Sequence, residues 1–526
     1  MFIIYVSGGG LSGLGKGVAA ASIASLIKTE LNLKIEILKI DGYLNKSAGD
    51  MRACEHGEVF VTECGKETDL DLGHYERFTG QYFSDKNSIT MGQIYRELFK
   101  KVDEGEFIGK TIQMIPHVID HLSNKINEFS DKTDVLIIEI GGTVGDIESD
   151  PILKTITQLK YKSIHVHLSK LDFEIGSIKT RIIQFSLAEL MKRGIIPDIV
   201  ICRSYKKLTD EDKLIVKNKL NGQVRYVLFG ETLEYIYDIP KYYQGQNILN
   251  IISSIMGVPY NNNKTNFTPR RINGDDVNIC IGAKYTGADS YLSIEESLKH
   301  VMYKENININ IDFIDLNRNF NEYKYNKYNG IIIPGGFGTS AIENKISLIK
   351  YARENKIPIL GLCLGMQLMC IEYARNKCGL KNATSEEFDH ILNGSNIISL
   401  MNDQNYRKTI CGTMRLGAYE CNLMVDSKSY SIYGTPYIQE RHRHRYEFNN
   451  AYKDILKENG MLFTGYNMKF DLVEIIELST ETHPFFIGTQ FHPEYKSTPD
   501  NPHPLFREFV KEIVKIKKDT GDYNDL

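Results

Sequence analysis

A glycine-rich stretch set between an apolar run and an alanine-rich run constrains the fold of this chain more than any other feature. Residues 2–6 have the length of a buried strand, and residues 16–31 have the spacing of a helix. Between them, residues 10–16 fit the pattern G-x-x-x-x-G-K, in which backbone N–H groups and the lysine hold nucleotide phosphates. The sequence therefore predicts a phosphate-binding loop in an α/β domain.

The residue after this lysine is Gly17, where a serine or threonine normally supplies a hydroxyl group to magnesium. A magnesium ion would therefore need ligands elsewhere. Asp69 and Asp71 form one acidic candidate, and Glu139 and Asp146 belong to a second. Glu139 ends an apolar run, and ligands of open α/β sheets bind at the carboxyl ends of strands. Carboxylates suit Mg²⁺, although solvated loop acids are the usual alternative for such clusters.

Strand-length apolar runs alternate with helix-like stretches along the chain, which predicts parallel sheets covered by helices on both faces. A stretch at residues 256–276, rich in Gly, Pro and Asn, separates two series of runs. We expect two doubly wound α/β domains with mainly parallel sheets, at residues 1–257 and 276–518, a linker at 258–275 and a polar tail at 519–526. The runs are at residues 2–6, 35–40, 135–140, 164–168 and 199–202, and then at 277–283, 331–334, 358–361 and 485–489.

The second series contains the elements of a cysteine hydrolase. One run leads into G-L-C-L-G at residues 361–365, where small residues allow the tight turn that presents Cys363 and a helix N-terminus favours its thiolate. After a later run, Glu494 follows His492 by two residues, so the carboxylate can orient an imidazole that acts as base on the cysteine. Residues 334–338 (PGGFG) end a third run and offer N–H groups for an oxyanion.

Composition argues against several classes of protein. Lys and Arg total 63 against 67 Asp and Glu, a net charge of −4, which is not the footprint of general nucleic-acid binding. The nine cysteines include no C-x-x-C pair, so neither a disulfide framework nor a zinc site is expected, and a reducing setting fits best.

No apolar stretch approaches the roughly 20 residues of a membrane-spanning helix, and the apolar start lacks a basic leader. We expect a soluble, cytoplasmic protein.

Residues 441–445 read RHRHR, which suggests a zinc or nucleic-acid site at first sight. In a strand, however, the alternation places both histidines on one face, and no cysteines accompany them. A local anion-binding strip is the preferred interpretation.

The elements of the second domain resemble the class I glutamine amidotransferases, and together with the phosphate loop the chain resembles the CTP synthase family. The resemblance covers about residues 2–509. It implies a P-loop-like synthetase domain followed by a flavodoxin-like amidotransferase domain. The matching strings are HGEVFV (56–61), DLDLGHYERF (69–78), EIGGTVGDIES (139–149), GTMRLG (412–417) and ERHRHRYE (440–447).

The resemblance implies a ligase that works in two stages. Cys363 would attack the carboxamide of L-glutamine, His492 would protonate the departing ammonia, and the ammonia would travel inside the protein. ATP would phosphorylate O4 of UTP, and ammonia would displace the phosphate to give CTP. The resemblance also implies Mg²⁺, feedback inhibition by CTP, activation by GTP, a homotetramer built as a dimer of dimers, and filaments.

The resemblance further assigns residues to each ligand. The glutamine residues are Gly336, Leu364, Gly365, Met366, Gln367, Glu387 and Arg445, beside the triad Cys363, His492 and Glu494. The ATP residues are Gly13, Leu14, Gly15, Lys16, Gly17, Val18, Lys39 and Asp71, and the metal ligands are Asp71 and Glu139. The UTP and CTP residues are Ser12, His117, Asp146, Ile147, Glu148, Lys179, Thr180, Arg181 and Gln184, some from a neighbouring subunit.

The chain departs from the family pattern at residues 339–343, which read TSAIE where an arginine and further glycines are usual in a loop implicated in the GTP response. The lysine expected to meet the UTP phosphates is not identified beyond its neighbourhood, residues 213–217.

Two alternative functions remain open. One is another ATP-dependent glutamine amidotransferase, such as a cobyrinic-acid amidase, and the other is a filament-forming structural homologue.

Overall fold

In the computed structural model, the strand Phe2–Gly9 and the helix Lys16–Glu30 flank the glycine-rich loop. The structure describes residues 1–51, 53–174, 177–260, 267–268, 270–285, 287, 289–318, 321–388, 394–400 and 414–520. Parts of the expected linker (261–266 and 269), of the GTMRLG string (412–413) and of the expected tail (521–526) lie outside the described residues.

The chain folds into two units. Unit 1 comprises Met1–Met51 and Thr68–Arg270, and unit 2 comprises Arg52–Glu67 and Arg271–Leu526. A short segment from the first 70 residues therefore belongs to the second unit. No pattern in the sequence indicated this assignment.

The sheet of unit 1 has seven strands among the described residues, and every pairing is parallel. The central strands are apolar on both faces and fully buried, because helices cover the sheet on both sides. Their carboxyl ends share one edge, where the glycine-rich loop begins. The order across the sheet is Tyr226–Glu231, Ile199–Ser204, Ser163–Lys170, Phe2–Gly9, Val135–Ile140, Ile35–Asp41 and Ser88–Thr90.

The helices of unit 1 are Lys16–Glu30, Asp71–Thr79, Met91–Asp103, Ile119–Asn127, Asp150–Gln158, Arg181–Lys192, Asp210–Leu220, Ile239–Gln244 and Ile248–Met256. A small antiparallel hairpin, formed by Asp172–Glu174 and Ser177–Lys179, lies outside the main sheet.

The sheet of unit 2 has nine strands within the described ranges and is parallel in one half and antiparallel in the other. The parallel half is Asn308–Asp315, Asp276–Ala283, Gly330–Ile333, Ile359–Leu362 and Phe486–Thr489. The antiparallel half continues with Leu472–Leu478, Met461–Asn467, Arg415–Leu423 and Tyr437–His444.

The helices of unit 2 are Ala53–His56, Leu292–Glu305, Ile342–Glu354, Leu364–Asn376, Lys428–Tyr433, Lys453–Glu458 and Pro504–Thr520. The shorter strands are Val59–Val61, Ala383–Ser385, Ser395–Leu400 and Tyr446–Phe448, with Glu67–Asp69 at the boundary of the two units. Across the described residues, no helix combines the length and apolar character that crossing a membrane would require.

The predicted fold class is confirmed: both units are α/β, and each of the nine predicted runs lies within or overlaps a strand. The antiparallel half of the second sheet was not predicted. Its strands carry buried charged residues such as Arg415 and Glu474, so they do not read as uninterrupted apolar runs.

Candidate active sites

Cys363 lies at a tight turn between the strand Ile359–Leu362 and the helix Leu364–Asn376. Its backbone has φ 52° and ψ −103°, a strained combination of the kind that clusters at functional sites. A side-chain carbon at Gly365 would lie 2.1 Å from the carbonyl oxygen of Ile333, so the turn needs a glycine there. The sequence thus folds locally to present a buried thiol at the start of a helix.

His492 and Glu494 lie next to this turn. Nδ1 of the imidazole is 2.7 Å from Oε1 of Glu494, and both side chains are buried. Burial alone would lower the pKa of His492, but the charges of Glu494 and Cys363 raise it to about 10. A side-chain carbon at Gly335 would lie 2.9 Å from Cε1 of His492 and 3.6 Å from Cβ of Cys363, so this glycine lies against both residues.

Backbone carbonyl groups of the strand Tyr437–His444 hold the two reactive residues. The N–H of His492 donates to the carbonyl oxygen of Arg441 at 2.8 Å. The thiol of Cys363 lies 3.7 Å from the carbonyl oxygen of Arg443, and the amide of Gln490 donates to its sulfur at 3.7 Å. One strand therefore positions both the cysteine and the histidine.

The strand places His442 and His444 on one face, as their alternation predicted. Both are buried, and their rings are joined by a 2.9 Å hydrogen bond. The prediction of an anion-binding strip is wrong for two of its arginines. Nε of Arg441 donates to Glu63 at 3.0 Å, and Nε of Arg443 donates to Glu67 at 2.8 Å, so carboxylates of the same unit already pair with them.

Two oppositely charged side chains lie beside the glycine-rich segment 335–338. Glu387 accepts a hydrogen bond from the N–H of Gly338 at 2.7 Å. The guanidinium of Arg445 lies 6.0 Å from the ring centre of Phe337, and its Nε is buried without a hydrogen-bond partner among the described residues. The pair is suited to an amino acid, because a carboxylate can bind the arginine and an ammonium group the glutamate.

The remaining expected glutamine residues surround Cys363. Leu364 is the first residue of its helix, so its N–H has no acceptor within that helix. Gln367 turns inward and donates to the carbonyl oxygen of Tyr446 at 2.8 Å and to Gln490 at 3.2 Å. Gly336 lies in the segment 335–338. Gly365 and Met366 lie in the first turn of the helix that follows Cys363.

In unit 1, the glycine-rich loop has the conformation that its glycines permit. Gly10, Gly13 and Gly15 all have positive φ, at 92°, 69° and 78°. The helix then begins at Lys16, whose Nζ donates to the carbonyl oxygen of Gly142 at 2.8 Å. The N–H groups at a helix start and a lysine are the groups that can bind an anion.

Asp71 occupies the space next to Gly17. A side-chain carbon at this glycine would lie 2.0 Å from Oδ1 of Asp71. The carboxylate therefore lies where the loop lacks the usual hydroxyl group.

Lys39 forms the centre of a buried cluster of carboxylates. It pairs with Asp71, with Glu139 at 2.9 Å and with Asp41 at 3.8 Å. Although burial alone would lower the pKa of Lys39, these three acids raise it well above its usual value. Burial, and after it the charges of the neighbouring carboxylates, raises the pKa of Asp41 to about 6 and that of Asp69 to about 7, although Lys39 opposes the shift.

This cluster is compatible with Mg²⁺ bound together with a nucleotide. In the part of the chain that the structure describes, no group of three His, Cys, Asp or Glu side chains is arranged to hold a metal ion by itself. Mg²⁺ usually takes only one or two carboxylates and completes its shell with phosphates and water. Asp71 and Glu139 match that donor set, and Asp41 adds a buried oxygen without a hydrogen-bond partner among the described residues.

Only some of the expected UTP residues lie together. A cavity of about 630 Å³ is lined by Lys179, Arg181 and Gly10, together with several acidic and apolar side chains. Thr180 is buried at the start of the adjoining helix. The other expected residues do not line this cavity: Ser12, Asp146, Ile147, Glu148 and Gln184, which are exposed, and His117, which is half-buried.

Comparison with known proteins finds matches for both halves of the chain. Residues 2–258 match the family model for the CTP synthase N-terminus, and residues 287–512 match the model for class I glutamine amidotransferases. A CTP synthase from Hydrogenobaculum sp. (strain Y04AAS1) is 44% identical, with 98% of each chain covered. The chain belongs to the CTP synthase family.

The chain is also similar to a second CTP synthase and to one solved glutaminase domain. The CTP synthase of Bdellovibrio bacteriovorus is 40% identical over 98% of this chain and 99% of its own. A solved structure of the Trypanosoma brucei CTPS glutaminase domain with bound acivicin is 31% identical, covers 45% of this chain and 94% of its own, and has a TM-score of 0.42.

Sequence reasoning missed several residues of these centres. Asp41 ends a parallel strand, and this position in the sequence could have indicated a ligand-binding residue. Tyr75 donates to Glu139 and lies inside the string DLDLGHYERF. Lys345 is fully buried and donates to the carbonyl oxygen of Pro334 at 3.0 Å. Its place on the apolar stripe of its helix could have indicated a buried role. Lys284 donates to the carbonyl oxygen of Gly338 from the end of another strand.

Proposed function

We propose that this chain is a ligase that converts UTP to CTP, using ATP and ammonia released from L-glutamine. The observation that carries the proposal is the presence, in one chain, of a buried Cys363–His492–Glu494 constellation and a phosphate loop backed by the Lys39 cluster. The similarity to CTP synthases over nearly the whole chain supports it. We assign residues 1–257 to the synthetase domain, 276–518 to the amidotransferase domain and 258–275 to the linker, with the exception that residues 52–67 pack in unit 2.

In the amidotransferase centre, the thiolate of Cys363 attacks the carboxamide carbon of glutamine. The carbon–nitrogen bond breaks as the imidazolium of His492 donates its proton to the departing ammonia, which leaves a thioester. The N–H groups of Gly336 and Leu364 stabilise the oxyanion formed on the way. Water, deprotonated by His492, then hydrolyses the thioester to glutamate, which regenerates the thiolate and the imidazolium.

Recognition of glutamine follows from the charges beside the nucleophile. Arg445 pairs with the α-carboxylate and Glu387 with the α-ammonium group, while Gly365, Met366 and Gln367 shape the pocket. The buried, unpartnered Nε of Arg445 supports this assignment because such a donor calls for an acceptor.

In the synthetase centre, residues 13–18 hold the phosphates of ATP. Lys16 and Lys39 stabilise the charge on the transferring phosphoryl group as it moves to O4 of UTP. Asp71 and Glu139 would hold Mg²⁺, which neutralises phosphate charge when bound. Ammonia then attacks C4 and inorganic phosphate leaves, because phosphate is a far better leaving group than the original carbonyl oxygen.

Further parts of the proposal concern nucleotide binding and regulation. UTP and CTP are bound by Lys179 and Arg181, which line the cavity described above, and by Ser12, His117, Asp146, Ile147, Glu148, Thr180 and Gln184.

Ammonia passes inside the protein from one centre to the other. CTP inhibits the enzyme and GTP activates it, and the enzyme is a homotetramer that can form filaments. We place it in the cytoplasm, which the free cysteines among the described residues support.

The test is CTP formation from UTP, ATP and Mg²⁺ with either glutamine or ammonium, with and without GTP. We expect the wild type to use both nitrogen sources and Cys363→Ala to use ammonium alone. An effect of GTP confined to glutamine would show that the loop at 339–343 still responds. Glutamine hydrolysis without CTP formation from either source would indicate another acceptor, and the absence of both reactions would favour a structural role.

A further inference from the structure

Tyr495 contacts the ring of the proposed catalytic histidine. Its ring stacks on the imidazole of His492, with ring centres 5.0 Å apart and planes 18° from parallel. The tyrosine is 6% exposed. Its hydroxyl group donates to the carbonyl oxygen of Val59 at 3.0 Å.

Val59 belongs to the segment of the first 70 residues that is part of unit 2, and its neighbours are firmly bound there. Phe60 packs edge-on against Tyr495, with ring centres 5.2 Å apart, and the guanidinium of Arg441 lies 5.3 Å from the ring centre of Phe60. On the other side, Glu58 accepts hydrogen bonds from the N–H and the hydroxyl of Ser293, in the first turn of a helix. The Val59 carbonyl is thus a fixed point for the tyrosine.

The polar contacts of His492 lie at the edge of its ring, and the tyrosine lies on its face. Glu494 is hydrogen-bonded to the imidazole at Nδ1, and Cys363 interacts with the ring electrostatically. Contacts at the edge of a ring fix its position but leave it free to tilt. A face-to-face neighbour anchored at its far end removes this freedom, and small errors in the placement of a catalytic group are costly.

We propose that Tyr495 is a positioning residue for His492, and that the carbonyl of Val59 anchors it. The inference rests on the proposed glutamine hydrolysis and deepens it. It makes residues 58–60, which lie outside the 287–512 match to the amidotransferase family, part of the support of the amidotransferase centre.

The test uses Tyr495→Leu, which removes the ring, and Tyr495→Phe, which removes only the bond to Val59. We expect Tyr495→Leu to lower kcat for glutamine hydrolysis about tenfold or more, with KM changed less than about twofold. Tyr495→Phe should show a smaller loss in kcat. CTP formation from ammonium should stay at the wild-type rate in both variants.

Tyr373 offers a matched control, because it is 2% exposed and its hydroxyl group also donates to a backbone carbonyl, that of Asn459 at 2.6 Å. Tyr373→Leu and Tyr373→Phe should leave kcat for glutamine unchanged. The proposal is overturned if Tyr495→Leu hydrolyses glutamine as fast as Tyr373→Leu, or if its ammonium-supported reaction falls in parallel. Should Tyr495→Leu fail to fold, an unchanged kcat in Tyr495→Phe overturns the Val59 anchor and with it the proposal. A wild type that hydrolyses no glutamine would instead refute the proposed function.

Discussion

Oδ1 of Asp71 lies 2.0 Å from the position that a side-chain carbon would take at Gly17. The glycine and the carboxylate are therefore complementary: the loop can lack its usual hydroxyl group because an acidic oxygen from another helix occupies the adjacent space. Asp71 is in turn paired with Lys39, which also contacts Glu139. A substitution at Gly17 would disturb the whole charged cluster.

Gly17→Ala should abolish CTP formation from both glutamine and ammonium. The added methyl group would displace the Asp71 carboxylate, and we expect a loss of about 100-fold or more in the ammonium-supported rate. Glutamine hydrolysis, which takes place in unit 2, should stay near the wild-type rate. Both rates are measured on one preparation, with Ser25→Ala in the same helix as control. An ammonium-supported rate equal to that of the control would disprove the role of Asp71.

Glu494→Gln should move the alkaline limit of glutamine hydrolysis to lower pH. In the wild type, the charges of Glu494 and Cys363 outweigh burial and raise the pKa of His492 to about 10, so the imidazolium that protonates ammonia persists to near that pH. Without the carboxylate, the pKa falls and the activity should decline about one to three pH units earlier. The measurement is the pH profile of kcat.

The same ion pair predicts how stability depends on pH. A histidine whose pKa is raised in the folded state contributes stability that is fully present below about pH 6.5 and is lost as the pH rises through about 10. The melting temperature of the wild type should therefore exceed that of Glu494→Gln by an amount that decreases between pH 7 and pH 10. A difference that does not change with pH would contradict the assignment of the raised pKa to Glu494.

Local patterns in the sequence predicted the parts of both centres that are built within one strand–turn–helix unit. The glycine-rich loop, the Cys363 turn and the His492–Glu494 spacing each depend on residues that are neighbours along the chain. The fold class followed for the same reason, since the buried parallel strands are continuous apolar runs.

Contacts that depend on the register between strands could not be predicted. Lys39 meets Glu139 because their strands pair in parallel with these two residues as partners, and nothing in either string specifies that register. The contact between Tyr495 and Val59 spans 436 residues and exists because an early segment packs into the second unit. Such long-range contacts follow from the assembled fold and have no local sequence signal.

Lys345→Met should slow glutamine hydrolysis without affecting ammonium-supported CTP formation. The fully buried amino group, whose pKa burial lowers to about 7, donates to the carbonyl oxygen of Pro334, at the start of the glycine-rich segment beside Cys363. Methionine fills a similar volume but leaves that carbonyl without its donor, which costs about 1–3 kcal/mol. We expect about a tenfold lower kcat, because a shift of this segment misplaces the oxyanion N–H groups.

Lys350→Met, at an exposed position of the same helix, is the matched control and should behave as the wild type. If Lys345→Met hydrolyses glutamine as fast as Lys350→Met, the buried lysine only fills space.

Arg445→Lys should raise KM for glutamine more than it lowers kcat. The guanidinium can bind a carboxylate through two parallel hydrogen bonds, whereas an ammonium group acts as a point charge, so substrate binding weakens while the reacting atoms are unchanged. We expect KM to rise about tenfold. Alkylation of Cys363 by iodoacetamide, which has no α-carboxylate, should proceed at the wild-type rate and serves as the internal control. Equal losses in alkylation and in glutamine hydrolysis would show that Arg445 supports the nucleophile and not the substrate.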